Sequence, residues 1–180
     1  GAGHAATSLS QMLDKPIDMS IPKVNMISFE EVADIVGGSE EIVIAVYLRV
    51  EGETPGNMFF ILHRKSAKKL LKDMMDIEIG HDDSFTEMEF SALAEVGNIL
   101  AGSYLTSLAD FTGLNMQPTV PALAIDMAGA ILSYGLIQHG QMGDMAMLID
   151  TQFMAGKDEV KGHFFLIPDP ESFEKIFHAL

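Results

Sequence analysis

Cysteine is absent from the 180 residues of this chain. Disulfides and thiolate metal sites are therefore excluded, and the composition fits a reducing cytoplasm. Bases are scarce as well. Only 11 Lys and Arg stand against 26 Asp and Glu, for a net charge of −15. Nucleic acid and anionic membrane surfaces are held by basic patches, so neither is expected as a partner. The acidity by itself reads as a solubility charge. No apolar run reaches the ~20 residues that span a bilayer. No basic segment precedes Gly1-Ala-Gly3, so the start does not read as a secretory leader. The usual catalytic groupings are missing too. His4, His63, His81, His139, His163 and His178 are scattered without ligand spacing, no nucleophile sits beside a base, and no metal-ligand cluster is present.

Hydrophobic residues make up 48% of the chain and charged ones 21%, which describes a globular protein. The length allows one sizeable core or two small fused halves. Internal similarity favours two halves. Ala2, Gly3, Thr7, Ser8, Leu9 and Pro22 line up without a gap on Ala101, Gly102, Thr106, Ser107, Leu108 and Pro121. A tandem duplication is the expected reading, with repeats at about 1–80 and 85–180 in one domain, 1–180. Thr7, Ser8, Leu9, Met12 and Leu13 already keep helical rhythm. The first repeat is therefore expected to lack the start of its first helix.

The rest of the chain reads as follows. Residues 1–14 are a helix tail ended by Lys15-Pro16, and 17–24 alternate as a strand. Ser28 caps a short helix over 29–36, with Glu31 completing a capping box and Gly37-Gly38 as the stop. Strands 42–51 and 57–63 form a hairpin about a turn with Pro55. Helix 66–75 turns Lys65, Lys68, Lys69 and Lys72 outward, and 76–84 is a linker. A long helix runs from Thr86 to Phe111, with Thr86 and Glu89 as capping box and Gly113 at its end. The span 122–137 contains a helix that reads as an insertion. Strands 145–151 and 162–168 and a closing helix 172–180 follow. The expected fold is α/β (α+β): an antiparallel sheet flanked by helices, two of them long, with pseudo-two-fold symmetry.

Ser91, Glu95 and Asn98 are spaced i, i+4 and i+7, which places them on one face of the long helix. Leu93, Val96, Leu100 and Leu108 form the opposite face. Taken singly, Glu95 suits a solvated helix residue and Asn98 a buried amide. Asparagine is a poor helix former, so its place mid-helix has a cost. An amide can both donate to and accept from a water, and can hold that water in line with a phosphorus atom. Any metal or phosphoryl group would then come from a partner protein.

The pattern Ser91, three residues, Glu95, two residues, Asn98, 22 residues, Pro121 resembles the phosphatase motif of the CheC, CheX and FliY family of bacterial chemotaxis. The flanking text 94–110, with Gly1-Ala-Gly-His-Ala-Ala, Met58-Phe-Phe-Ile and Ser172-Phe-Glu-Lys-Ile-Phe, extends the resemblance over essentially the whole chain. The resemblance implies a CheC-like fold and a cytoplasmic protein phosphatase acting on the aspartyl phosphate of the response regulator CheY. It implies no cofactor of the chain's own, with Mg²⁺ bound by CheY. Asn98 would position the hydrolytic water and Glu95 would pair with a lysine of CheY. Ser91 and Pro121 would support the motif. Pro22 would be the surviving part of a second motif whose glutamate and asparagine lie upstream. The family also binds the receptor deamidase CheD. The apolar helix after Asp126 looks like its docking element, with Asp126 as the contact or alternatively an N-cap. Two other readings stand beside the enzyme: an adaptor that mainly captures CheD, and a flagellar switch component like FliY.

Overall fold

The computed structural model describes residues 16–20, 23–75, 84–137, 145–155 and 160–179, with Thr7, Ser10 and Gln11, which are helical. The remainder of the expected first helix, Pro22 and the stretch 76–83 lie outside the described residues. The described elements are β1 (Ile17–Met19), β2 (Lys23–Ser28), α1 (Phe29–Ile35), β3 (Ile42–Gly52), β4 (Gly56–His63), α2 (Arg64–Met75), α3 (Glu87–Thr112), β5 (Met116–Pro118), β6 (Ala122–Met127), α4 (Ala128–Ile137), β7 (Met145–Ala155), β8 (Val160–Pro168), a 3₁₀ turn (Pro170–Ser172) and α5 (Phe173–Ala179).

All eight described strands join one antiparallel sheet. Its centre is β7-β8-β4-β3, and each outer edge is a strand in two pieces. β1 and β2 run along β7, as β5 and β6 run along β3. The registers correspond. Met145 faces Ser28 as Ile42 faces Met127, and Ala155 faces Ile17 as Gly52 faces Met116. At the centre Phe59 faces Phe165 and Phe60 faces Phe164.

Strands β4 and β8 are apolar at successive positions because both sheet faces are covered. On one face Ile44, Val46, Leu48, Met58, Phe60, Phe164 and Leu166 pack with α2, α3 and Ile176 of α5. The Phe164 ring stacks on both Phe60 and Tyr104, at centroid distances of 4.6 Å. On the other face Val43, Ala45, Phe59, Ile61, Leu148, Phe165 and Ile167 meet α1 and α4. Each side chain of this kind withdrawn from water contributes about 1.5–3 kcal/mol before entropy is counted. A polar chain crosses the rim of that second face. Tyr47 Oη donates to Asn57 Oδ1 at 2.9 Å, and Arg49 forks onto the Asp169 carboxylate. Burial raises the Tyr47 phenol above its ordinary pKa, so it stays protonated as a donor.

Several boundaries differ from the sequence reading. The first edge strand extends to Ser28 in two pieces, because pairing with β7 continues through Asn25, Met26 and Ile27. β7 and β8 are longer than expected for the same reason: each pairs along its length with the other. The helix read as an insertion follows edge strand β6 just as α1 follows β2, and the two pack on the same sheet face. Lys68 is not outward. Its ammonium lies 4.3 Å from the Phe85 ring centroid and pairs with Glu89 at 3.1 Å.

Candidate functional site

Helix α3 carries the motif, and its 26 residues make it about 39 Å long. The sequence starts it with Thr86, whose hydroxyl accepts from Glu89 N at 3.1 Å. Gly113 ends it in the left-handed region at φ 70°, donating its N–H to Ala109 O. The expected capping box is only half formed. The nearly buried Glu89 carboxylate turns to Lys68 of α2 instead of back to its own helix, because the ammonium offers a charge-assisted partner. That pair ties the N-terminal turn of α3 to α2.

Leu93, Val96, Leu100, Ala101, Tyr104, Leu105 and Leu108 are buried against the sheet, as the sequence pattern required. Ser91, Glu95 and Asn98 are all exposed on the opposite side. The fold thus brings these three onto one outward face. The amide expected to suit a buried position is in solvent. A face held this way is a rigid display, since its backbone is fixed by packing on the other side.

Between Glu95 and Asn98 lies Gly97, which is buried. A Cβ there would overlap Val46 Cγ2 and stand 3.2 Å from Val46 Cβ. The helix backbone therefore rests directly on β3 at this turn, and glycine sets the depth at which Glu95 and Asn98 stand. Sequence reasoning did not single out Gly97. The signal was present as a glycine inside an apolar helix.

Pro121 lies half-buried at the break in the edge strand, between β5 and β6. Pairing with β3 is interrupted there, and Thr119 replaces it: its N–H donates to Arg49 O and its hydroxyl accepts from Arg49 N, both at 2.9 Å. A proline with no N–H suits such an edge position. Two residues on, Leu123 pairs across to Val46, the residue under Gly97. Pro121 and the helical triad are thus linked through β3. Pro22, read from the sequence as its counterpart, lies outside the described residues.

Asp126 is elsewhere. It is an exposed residue of β6 opposite Val43, whose side chain belongs to the α1/α4 face of the sheet. Residues directly opposite in a pair share a face, so Asp126 and the triad lie on opposite faces. Asp126 is not the N-cap of α4. Its Oδ1 accepts from Met127 N at 2.7 Å, while the first helical N–H groups, of Ala128 and Gly129, donate to Glu41 O and Ser39 O. Of the described side chains in the apolar run of α4, Ala128, Ile131 and Leu132 are core, while Tyr134 is exposed.

Among the described residues, two histidines have carboxylate partners, His163 with Asp150 at 2.9 Å and His63 with Glu41 at 3.5 Å. Among the described residues no three His, Asp or Glu side chains converge as metal ligands. No described helix is long and apolar enough to cross a membrane.

The family model described as CheC-like matches residues 88–125, the span that holds Ser91, Glu95, Asn98 and Pro121. Over 188 aligned residues the chain is 43% identical to the CheY-P phosphatase CheC of Bacillus subtilis, covering 100% of this chain and 88% of that protein. The chain belongs to the CheC-like family. A further relative, the putative CheY-P phosphatase CheC1 of Halobacterium salinarum, is 25% identical over 181 residues, covering 100% of this chain and 90% of that one. Among solved structures, Thermotoga maritima FliY superposes with a TM-score of 0.72 at 19% identity, covering 99% of this chain and 88% of that chain. That likeness is one of fold: an antiparallel sheet between helices.

Proposed function

We propose that this chain is a protein phosphatase that hydrolyses the aspartyl phosphate of the chemotaxis response regulator CheY. The observation that carries the reading is the display of Glu95 and Asn98, both exposed and three residues apart, on a long helix whose other side is locked in the core. The name and function of the Bacillus subtilis relative support the substrate. Substrate CheY brings the phosphoaspartate, Mg²⁺ and a lysine. Glu95 pairs with that lysine and sets the docking register. The Asn98 amide enters the pocket and holds a water in line with phosphorus. The water oxygen bonds to phosphorus as the bond to the aspartyl oxygen breaks, giving inorganic phosphate and a free carboxylate. Ser91 and Pro121 support this arrangement, one from the turn before Glu95 and the other from the edge-strand break.

The reading is tested by following decay of phosphorylated CheY with and without the chain. Acceleration that requires Mg²⁺ is expected, and decay unchanged by the chain would refute it. Glu95→Lys reverses the docking charge and is expected to raise KM about tenfold or more, with a smaller change in kcat. The wild-type rate should fall with added salt more steeply than the variant's. An unchanged KM would remove Glu95 from docking.

The same chain is read as two fused repeats, about 1–80 and 85–180. The matching registers of the two edge strands, and the identities between 1–22 and 100–121, support this. Pro22 is then the counterpart of Pro121.

The second partner is CheD, received at Asp126. An exposed carboxylate on the sheet face away from Glu95 and Asn98 supports this reading. Both partners then fit at once. Asp126→Ala is expected to keep the melting temperature within about 2 °C and to abolish co-purification with CheD while leaving CheY dephosphorylation unaltered. Undiminished capture of CheD by this variant would refute the assignment.

A further inference from the structure

Gly102 stands in the interior of α3, where glycine is the least favourable residue after proline. Packing does not require it. A Cβ at Gly97 would run into Val46, whereas a Cβ at Gly102 meets nothing within 4 Å. Fold and sequence propensity therefore both permit a side chain here, and the chain has none.

The position explains what the missing side chain leaves open. At 100° per residue, Gly102 falls 40° around the helix from Asn98, between Asn98 and Glu95 at 60°. It is one turn C-terminal of Asn98. Side chains on a helix tilt toward its N-terminus, so a residue covers the surface over the turn before its own Cα. A side chain at 102 would lie over Asn98. The turn before it is different, because Glu95 is nearly two turns away and stays uncovered.

We propose that Gly102 is a clearance position for the phosphatase reaction: its bare backbone lets the surface of the phosphorylated substrate protein close onto Asn98. This deepens the function proposed above and rests on it. Asn98 has a short side chain, so it can reach a water inside a partner's pocket only if the partner closes almost onto the helix backbone. Ile99, a large apolar side chain that is partly exposed beside it, is then part of the contact rim. Gly102 touches neither water nor phosphate. It is a positioning residue that acts through Asn98.

The test is a size series at this position, Gly102→Ala, Gly102→Gln and Gly102→Leu, read by melting temperature and by kinetics on phosphorylated CheY with Mg²⁺. Each replacement is a better helix former than glycine and its Cβ meets nothing within 4 Å, so Tm is expected to rise by about 2–4 °C. Activity is expected to move the other way, by about twofold for alanine and tenfold or more for glutamine and leucine. The loss should fall on kcat more than on KM, because the charge that docks the partner at Glu95 is not covered. Ser133→Leu adds bulk at an exposed position of α4 on the other sheet face and should change nothing. Wild-type kcat in Gly102→Leu would overturn the inference while leaving the phosphatase reading intact. A fall in Tm that parallels the loss of activity would also overturn it, since the glycine would then serve the fold. A wild-type chain without effect on CheY decay would remove both readings together.

Discussion

Protein carrying Asn98→Ala is expected to leave phosphorylated CheY decaying close to its own rate, with the wild-type acceleration reduced about 100-fold or more. The argument is one of geometry. A water attacking phosphorus must lie opposite the leaving aspartyl oxygen, and displacement of a reacting group by an ångström costs about two orders of magnitude. The amide suits the task because it both accepts from and donates to that water. The fold should not change. Asn98 is exposed, alanine is the better helix former, and Tm should hold or rise slightly. Asn98→Asp separates shape from chemistry. It keeps the size of the side chain, loses both N–H donors and brings a negative charge against the phosphoryl oxygens, so it should be as inactive as alanine. Kinetics on purified CheY and circular dichroism on the same samples check both halves. Full acceleration by either variant would take Asn98 out of the mechanism.

Gly97→Ala is expected to damage both stability and activity, although it adds one methyl group. The added carbon collides with Val46, which pairs with Leu123 on one side and Phe60 on the other and cannot retreat within the sheet. The helix must lift instead, and overpacking of this kind costs about 1–3 kcal/mol. A chain of this size then melts roughly 2–12 °C lower. Lifting the helix also moves Asn98 and Glu95 relative to the Pro121 segment, so kcat/KM should fall about tenfold even where the protein remains folded. Val46→Ala supplies the test of cause. By itself it leaves a cavity and destabilises. Combined with Gly97→Ala it should restore part of the loss, giving a coupling of about 1 kcal/mol or more in a double-mutant cycle. Strict additivity of the two changes would show that Gly97 and Val46 do not share the contact. The opposite behaviour of Gly97 and Gly102, one closed by packing and one open, is a contrast that the same assays measure.

Much of this molecule was legible as sequence. Thr86 and Gly113 bounded α3 because a capping hydroxyl and a left-handed glycine are local devices that need no tertiary partner. Strands β3 and β4 were legible because their hairpin is short and their apolar runs are bounded by Gly52 and Pro55. The edge strands were harder. Residues 116–118 and 25–28 have little strand character of their own, and their extended form comes from pairing with β3 and β7, far away in the chain. Helix α4 looked like an insertion because its composition differs from that of α1. It follows β6 as α1 follows β2, and its Ala128, Ile131 and Leu132 are core. Asp126 looked like a cap because it precedes a helix, yet the strand continues through it and the loop carbonyls of Ser39 and Glu41 do the capping.

By itself the sequence determined the helical face of Ser91, Glu95 and Asn98, since a period of 3.6 residues and a buried opposite side are properties of one segment. It also determined the family, through a spacing that survives from Ser91 to Pro121. Only the tertiary structure decided how deep that helix sits, which of its glycines is needed for packing, and that Asp126 faces away from Asn98. Those are contacts and orientations between segments distant in the chain: Gly97 with Val46, Asp126 with Val43, and the broken edge strand at Pro121 with β3. No local pattern encodes them, because each depends on which strand pairs beside which and on which face of the sheet the partner side chain stands.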